Sequence, residues 1–224
     1  MCHLLGDVVI AVETLFIHLG WLPLFLVLFW LYYKEKYPIG AALLAYFLGA
    51  FATLPAWLLQ LAWRWVWLGQ EWAEMWDMPL WIVPVEEGAK LVAAIGAFSA
   101  LGCKQCRSFF PLAMAAALGF SVLESSLAVM VWGLDVVPVR LLVSVPGHLV
   151  FTALAAVGLA GCRSEKPRWT LLLLWGLLAV VAHTAYNHFL LYHEGANLLE
   201  AFAWLLAIGT ACGVLVFLRL RRGT

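Results

Sequence analysis

The chain has 224 residues, of which 65% are hydrophobic and 12% charged, and its 13 basic side chains balance 13 acidic ones to a formal net charge of zero. With a mean hydropathy of +0.96, it carries more apolar surface than one soluble core of this length can bury, which excludes an ordinary soluble domain. What remains is an all-α, polytopic membrane bundle, a single integral-membrane domain over residues 1–224 in the cell membrane, with the lipid bilayer as its surroundings and no nucleic acid among its partners.

Windows long enough to cross a hydrocarbon core of about 30 Å fall near residues 10–33, 39–62, 79–101, 109–132, 139–161, 169–192 and 197–218, which predicts about seven transmembrane helices. No lysine or arginine precedes the first apolar stretch, so it reads as a helix and not as a cleaved signal peptide. Lys34 and Lys36 follow the first window, and the Trp-rich segment Trp63 to Trp81 joins the second to the third, where indole rings favour the headgroup level. Lys104 and Arg107 follow the third window, Arg163, Lys166 and Arg168 the fifth, and Arg219, Arg221 and Arg222 the last. The even-numbered connections hold only Arg64 and Arg140, and the sixth has neither lysine nor arginine. Short cytoplasmic loops retain basic residues, so the N-terminus is expected outside and the C-terminus in the cytoplasm. Cys103 and Cys106 form a CxxC in a loop on that reducing side, with Cys162, and are read as thiols.

The third window contains VPVEEGAKLVAAIGAF, Val83 to Phe98, with Glu86, Glu87 and Lys90 inside an otherwise apolar run. Each ionised group at the middle of a bilayer helix costs roughly 2.5–3.5 kcal/mol, so three within five residues must serve one another. Counting helix rise at 1.5 Å per residue places Glu86 about 12 Å below the outer end of its helix. Glu124 in the fourth window, His148 in the fifth and His183 in the sixth fall at a similar depth. Lys90 stands i+4 from Glu86 and i+3 from Glu87, and can pair with either; Phe120 shares a face with Glu124, and Asn187 with His183. If these faces turn inward they make one polar pocket. Three ionised glutamates and one lysine leave it at minus two, so it must take up protons, admit water or bind a cation such as zinc. Such residues also suit a proton or cation transporter or other ion-binding membrane protein, which is the alternative reading.

Four motifs occur in order on successive windows: EExxK at Glu86, Glu87 and Lys90; FxxxE from Phe120 to Glu124; the histidine of VRLLVSVPGHLVFTAL, His148; and AHTAYNHFLL with His183. Together, from about Gly20 to about Leu191, they resemble the PrsW family of membrane proteases, relatives of the CAAX prenyl endopeptidases and the bacteriocin-processing ABI proteins. One position departs: the family's last motif is commonly HxxxD, whereas Asn187 follows His183, and an amide supplies hydrogen bonds without charge.

The resemblance implies hydrolysis of a peptide bond in a membrane protein or peptide substrate. Glu86 is expected as general base, with Glu87 as the fallback and Lys90 holding the other carboxylate. His148 and His183 would stabilise the oxyanion or bind zinc, with Glu124 as a third ligand or as the partner that orients a histidine. Asn187 would position the tetrahedral intermediate or the substrate backbone, and Phe120 supports the pocket. A metal-free, glutamate-dependent mechanism is the other form of the same reading. The pocket's depth points to cleavage near the extracytoplasmic juxtamembrane region of a single-span protein, an anti-sigma factor by analogy.

Overall fold

A computed structural model describes residues 39–67, 78–103, 108–160 and 169–192, together with Gly209 and Ala211. The expected helix over 10–33, nearly all of that over 197–218, most of the Trp-rich connection, Cys2, Cys106, Cys162 and Cys212, and the basic loops that set the expected orientation lie outside the described residues.

The described chain is helical, with no strand. Helix α1 is Ile39–Val66, α2 is Val83–Ala100, α3 is Phe109–Trp132, α4 is Val145–Ala160 and α5 is Trp169–Tyr192. These coincide with the expected windows from 39–62 to 169–192. Four stretches are long and apolar enough to cross a membrane: Ile39–Val66, Phe109–Trp132, Leu134–Leu159 and Trp169–His188. Helix α2 is set apart from them by its charge, since it carries Glu86, Glu87 and Lys90 within 18 residues.

Helix ends follow local chemistry. Gly102 takes a φ of 60° after α2, and the Cys103 N–H bonds back to the Phe98 carbonyl at 3.1 Å, which closes the helix in a left-handed turn that favours glycine. Gly133 ends α3 with φ 83° and an extended ψ of −174°, a backbone that favours glycine, its N–H completing the last helical bond to Val129 O at 2.8 Å. Both α2 and α4 are entered through π-helical turns, Met78–Ile82 and Arg140–Ser144, and each turn runs into a proline, Pro84 or Pro146. A proline ring collides with the carbonyl four residues earlier in a regular helix, and the wider π turn removes that collision. Between α3 and α4 the chain continues through a 3₁₀ turn, Leu134–Val136, and one α turn, Val137–Val139.

Because these helices are apolar all round, the hydrophobic stripe that orients a soluble helix is missing. Side-chain size takes its place. The buried residues of α1 are all small: Ala41, Ala42, Ala45, Gly49, Thr53 and Ala56. They face Ala113, Ala116 and Gly119 on α3, while Phe47, Phe51, Leu58 and Trp65 point outward. A Cβ on Gly49 would run into the Ala116 carbonyl, and one on Gly119 into the Tyr46 carbonyl. Across this seam the Thr53 hydroxyl donates to the Phe120 carbonyl at 3.1 Å, tying α1 to α3 by a polar contact among small residues. Helices α4 and α5 approach at Gly158, where a Cβ would lie 2.6 Å from the Leu171 carbonyl oxygen.

Since the obstruction at Gly119 is backbone on both sides, Gly119→Ala is expected to lower stability in detergent by about 1–3 kcal/mol, the usual range for overpacking. Gly88→Ala, whose added Cβ meets nothing within 4 Å, should hold or raise stability, by up to about 1 kcal/mol. Thermal unfolding of the two variants side by side measures the contrast.

Candidate active site

The antiparallel course of the chain brings the start of α2, the last third of α3, the start of α4 and the second half of α5 to one end of the bundle. Each contributes ionisable side chains to a single buried cluster.

Glu87, 1% exposed, is its hub. Its Oε1 accepts from Lys90 Nζ at 2.5 Å and from His183 Nδ1 at 2.8 Å, and its Oε2 accepts from Thr152 Oγ1 at 3.5 Å. Lys90 is wholly enclosed. An ammonium group has three protons to place and no water to take them. Besides Glu87, it faces His148 Nδ1 at 3.0 Å and lies 5.3 Å above the centre of the Phe120 ring, whose π face attracts a cation. Phe120 thus supports Lys90 with its ring while its carbonyl accepts from Thr53.

The two imidazoles stand edge to face, their centres 5.4 Å apart and their planes at 89°. His183 stacks on Phe151 at 4.6 Å and 13°, which fixes the ring plane. A ring that donates Nδ1–H to a carboxylate keeps its lone pair on Nε2, as ligating histidines do. His148 has Lys90 at Nδ1 and the Glu124 carboxylate at Nε2, 2.6 Å away. Glu124 Oε2 is buried and makes this short contact with the imidazole. The other oxygen of Glu124, Oε1, accepts from Arg140 at 2.8 Å. Glu86 lies across the cluster, 7% exposed, its Oε1 accepting from Gln60 Nε2 at 3.2 Å.

Glu86, His148 and His183 each offer a ligand atom within 4.8 Å of the others. One ion or one water can touch all three. This compact set differs by one carboxylate from the expected Glu124, His148 and His183: Glu124 pairs with Arg140 and His148, and it is Glu86 that offers an oxygen within reach of both imidazoles. The donor chemistry fits a divalent metal on two grounds, namely the mixed carboxylate and imidazole donors and the carboxylate behind His183. Asn187 is half-buried one turn beyond His183 on α5, and His188 is exposed.

Four contributors escape a reading by motif. Gln60 had a signal, as an amide in a run of leucine and tryptophan. Thr152 stands i+4 from His148 and so shares its face. Arg140 reads as a loop charge, and Phe151 as one apolar residue among many.

A comparison with protein families matches residues 37–218 to the PrsW-protease model, described as PrsW family intramembrane metalloprotease. The chain belongs to this family. It is a membrane-embedded protease, and its substrates are membrane proteins in the bilayer. The match begins beyond Gly20 and runs past Leu191, so it differs at both ends from the span over which the motifs resemble the family. Comparisons with curated proteins and with solved structures find no match. The family assignment does not favour the transporter alternative.

Lys90→Met would leave Glu87 buried without its cation, and breaking a buried pair from one side typically costs about 3–5 kcal/mol. The double variant Lys90→Met with Glu87→Gln, which removes both charges, should recover a large part of that loss. Thermal unfolding of the single and double variants tests the pairing.

Proposed function

We propose that the protease cleaves a single-span membrane protein near its extracytoplasmic juxtamembrane region, with Glu86 as the general base on the attacking water. The observation that carries this reading is the meeting of Glu86, His148 and His183 from three helices, with ligand atoms within 4.8 Å of one another. Of the two adjacent glutamates, Glu87 has both oxygens committed to Lys90, His183 and Thr152, whereas Glu86 has one oxygen held by Gln60. A base needs an oriented carboxylate with a free lone pair, and Glu86 meets that requirement better.

In this scheme Glu86 takes a proton from water as its oxygen attacks the scissile carbonyl, then returns it to the leaving amine as the C–N bond breaks. In the metal-free form of this scheme His148 and His183 face the oxygen on which charge develops, with their own orientation fixed by Lys90, Glu124, Glu87 and Phe151. Asn187, one turn from His183, offers an amide to the substrate backbone. The metal of the family's chemistry is zinc in this reading, which His148 and His183 would hold with Glu86 as the carboxylate within reach of both. When bound it would supply Lewis-acid polarisation of the carbonyl. The depth of the cluster, with the orientation inferred from the loop charges, supports cleavage in the outer half of the membrane. An anti-sigma factor is the proposed substrate class, by analogy with the family.

With purified protein and a panel of single-span substrates, Glu86→Gln should cut at least about 10²-fold more slowly than wild type. His183→Gln should lose bound zinc by metal analysis of the same samples. A chelator should abolish cleavage and added zinc restore it. Undiminished cleavage by Glu86→Gln would transfer the role to another carboxylate.

A further inference from the structure

Arg140 lies eight residues before His148 in the stretch VRLLVSVPGHLVFTAL and is not one of the residues singled out there, yet it reaches the cluster. Its guanidinium donates to Glu124 Oε1 at 2.8 Å, while Glu124 Oε2 lies 2.6 Å from His148 Nε2. On its other side the guanidinium sits 5.7 Å from the centre of the Trp132 ring. Both side chains of the ion pair retain some exposure, 19% for Arg140 and 25% for Glu124, while His148 lies buried within.

The backbone explains why this arginine meets this carboxylate. Arg140 and His148 are eight residues apart. In a regular helix that separation is about 800°, leaving the two side chains about 80° apart around the axis. The π turn, closed by the Val145 N–H on the Arg140 carbonyl, absorbs about one extra residue and brings them to within about 20° of a common face. Both then reach Glu124 from the same side of the α3–α4 contact, Arg140 at one oxygen and His148 at the other.

We propose that Arg140 is a positioning residue: by holding one oxygen of Glu124, it presses the other against His148 and so sets the orientation of that ring for the reaction. The kinetic part of this rests on the protease reading above, and the contact itself does not. A guanidinium fork suits the task because it fixes the plane of a carboxylate, which a lysine ammonium, a point charge on a flexible stem, does less well.

The experiment uses the full chain in detergent micelles with ¹⁵N-labelled histidine, the His148 ring signals being assigned from a His148→Gln sample. It compares wild type, Arg140→Gln, Arg140→Lys, Glu124→Gln and the Arg140→Gln, Glu124→Gln double variant. Two quantities are read: the ring ¹⁵N shifts of His148, and kcat and KM on a single-span substrate cut by the wild type. Arg140→Gln should move the His148 signals in the same direction as Glu124→Gln and lower kcat about 10–100-fold, the range seen when an orienting partner is lost. KM should change less than about twofold, since the interaction serves the transition state. Arg140→Lys should fall between wild type and Arg140→Gln in both readouts, and the double variant should cost little more than Glu124→Gln alone. Unmoved His148 signals in Arg140→Gln, or a wild-type kcat, would overturn the proposal. Should Arg140→Gln fail to fold, Arg140→Lys decides: wild-type values in both readouts overturn the assignment, and intermediate ones support it. A wild type that cuts nothing would count against the protease reading, while the His148 signals would still decide whether Arg140 governs that ring.

Discussion

Everything in this protein is arranged around the need to hide one ammonium group. Lys90 has no exposure at all, and a bilayer interior supplies neither water nor counterions, so its charge must be matched within the protein. Glu87 matches it from one turn away on the same helix, but one carboxylate cannot occupy three N–H donors. The remaining directions are filled from other helices, by His148 of α4 and the Phe120 ring of α3. A single lysine thereby fixes the relative positions of three helices, and the carboxylate that neutralises it also aligns His183 of α5. Charge compensation and assembly of the reactive groups are one and the same set of contacts.

That arrangement requires helices that approach closely at one end of the bundle and carry polar side chains at controlled angles. Small residues supply the closeness: Gly49 and Gly119 let the backbones of α1 and α3 come into contact. The π turns supply the angles. Each of the two helices that begin at the cluster, α2 and α4, is entered through such a turn with a proline just beyond it. A wide turn rotates the following segment relative to what precedes it, so a local response to proline also sets which side chains face inward.

The sequence made the groups legible more readily than their contacts. Counting helix rise from the charged loops was enough to place Glu86, Glu124, His148 and His183 at one level, because helix pitch is nearly constant, and the structure does bring these residues to one end of the bundle. Which carboxylate faces which imidazole depends on rotation about each helix axis. In a helix apolar on every side no moment encodes that rotation, so Glu124 read as a third ligand or as the partner that orients a histidine; it stands against His148 alone, while Glu86 lies within reach of both histidines. Arg140 was hidden for a related reason: only the π turn puts it on the face of His148. Gln60 and Thr152 were visible in principle, as isolated hydrogen-bonding groups in apolar runs, but they carry no charge to mark them.

Phe120 joins two roles that are usually separate. Its carbonyl accepts the Thr53 hydroxyl in the α1–α3 seam, its ring lies beneath the Lys90 ammonium, and it directly follows Gly119, one of the two glycines at which these backbones touch. Scaffold and chemistry therefore have no independent freedom along this stretch of α3. In evolutionary terms, the seam should drift only by compensated exchanges on both helices, while the outward residues such as Phe47, Phe51 and Leu173 vary with the lipids they meet. A redesign of substrate preference would have its room to work on those outer faces and at the exposed rim, away from the α1–α3 contact.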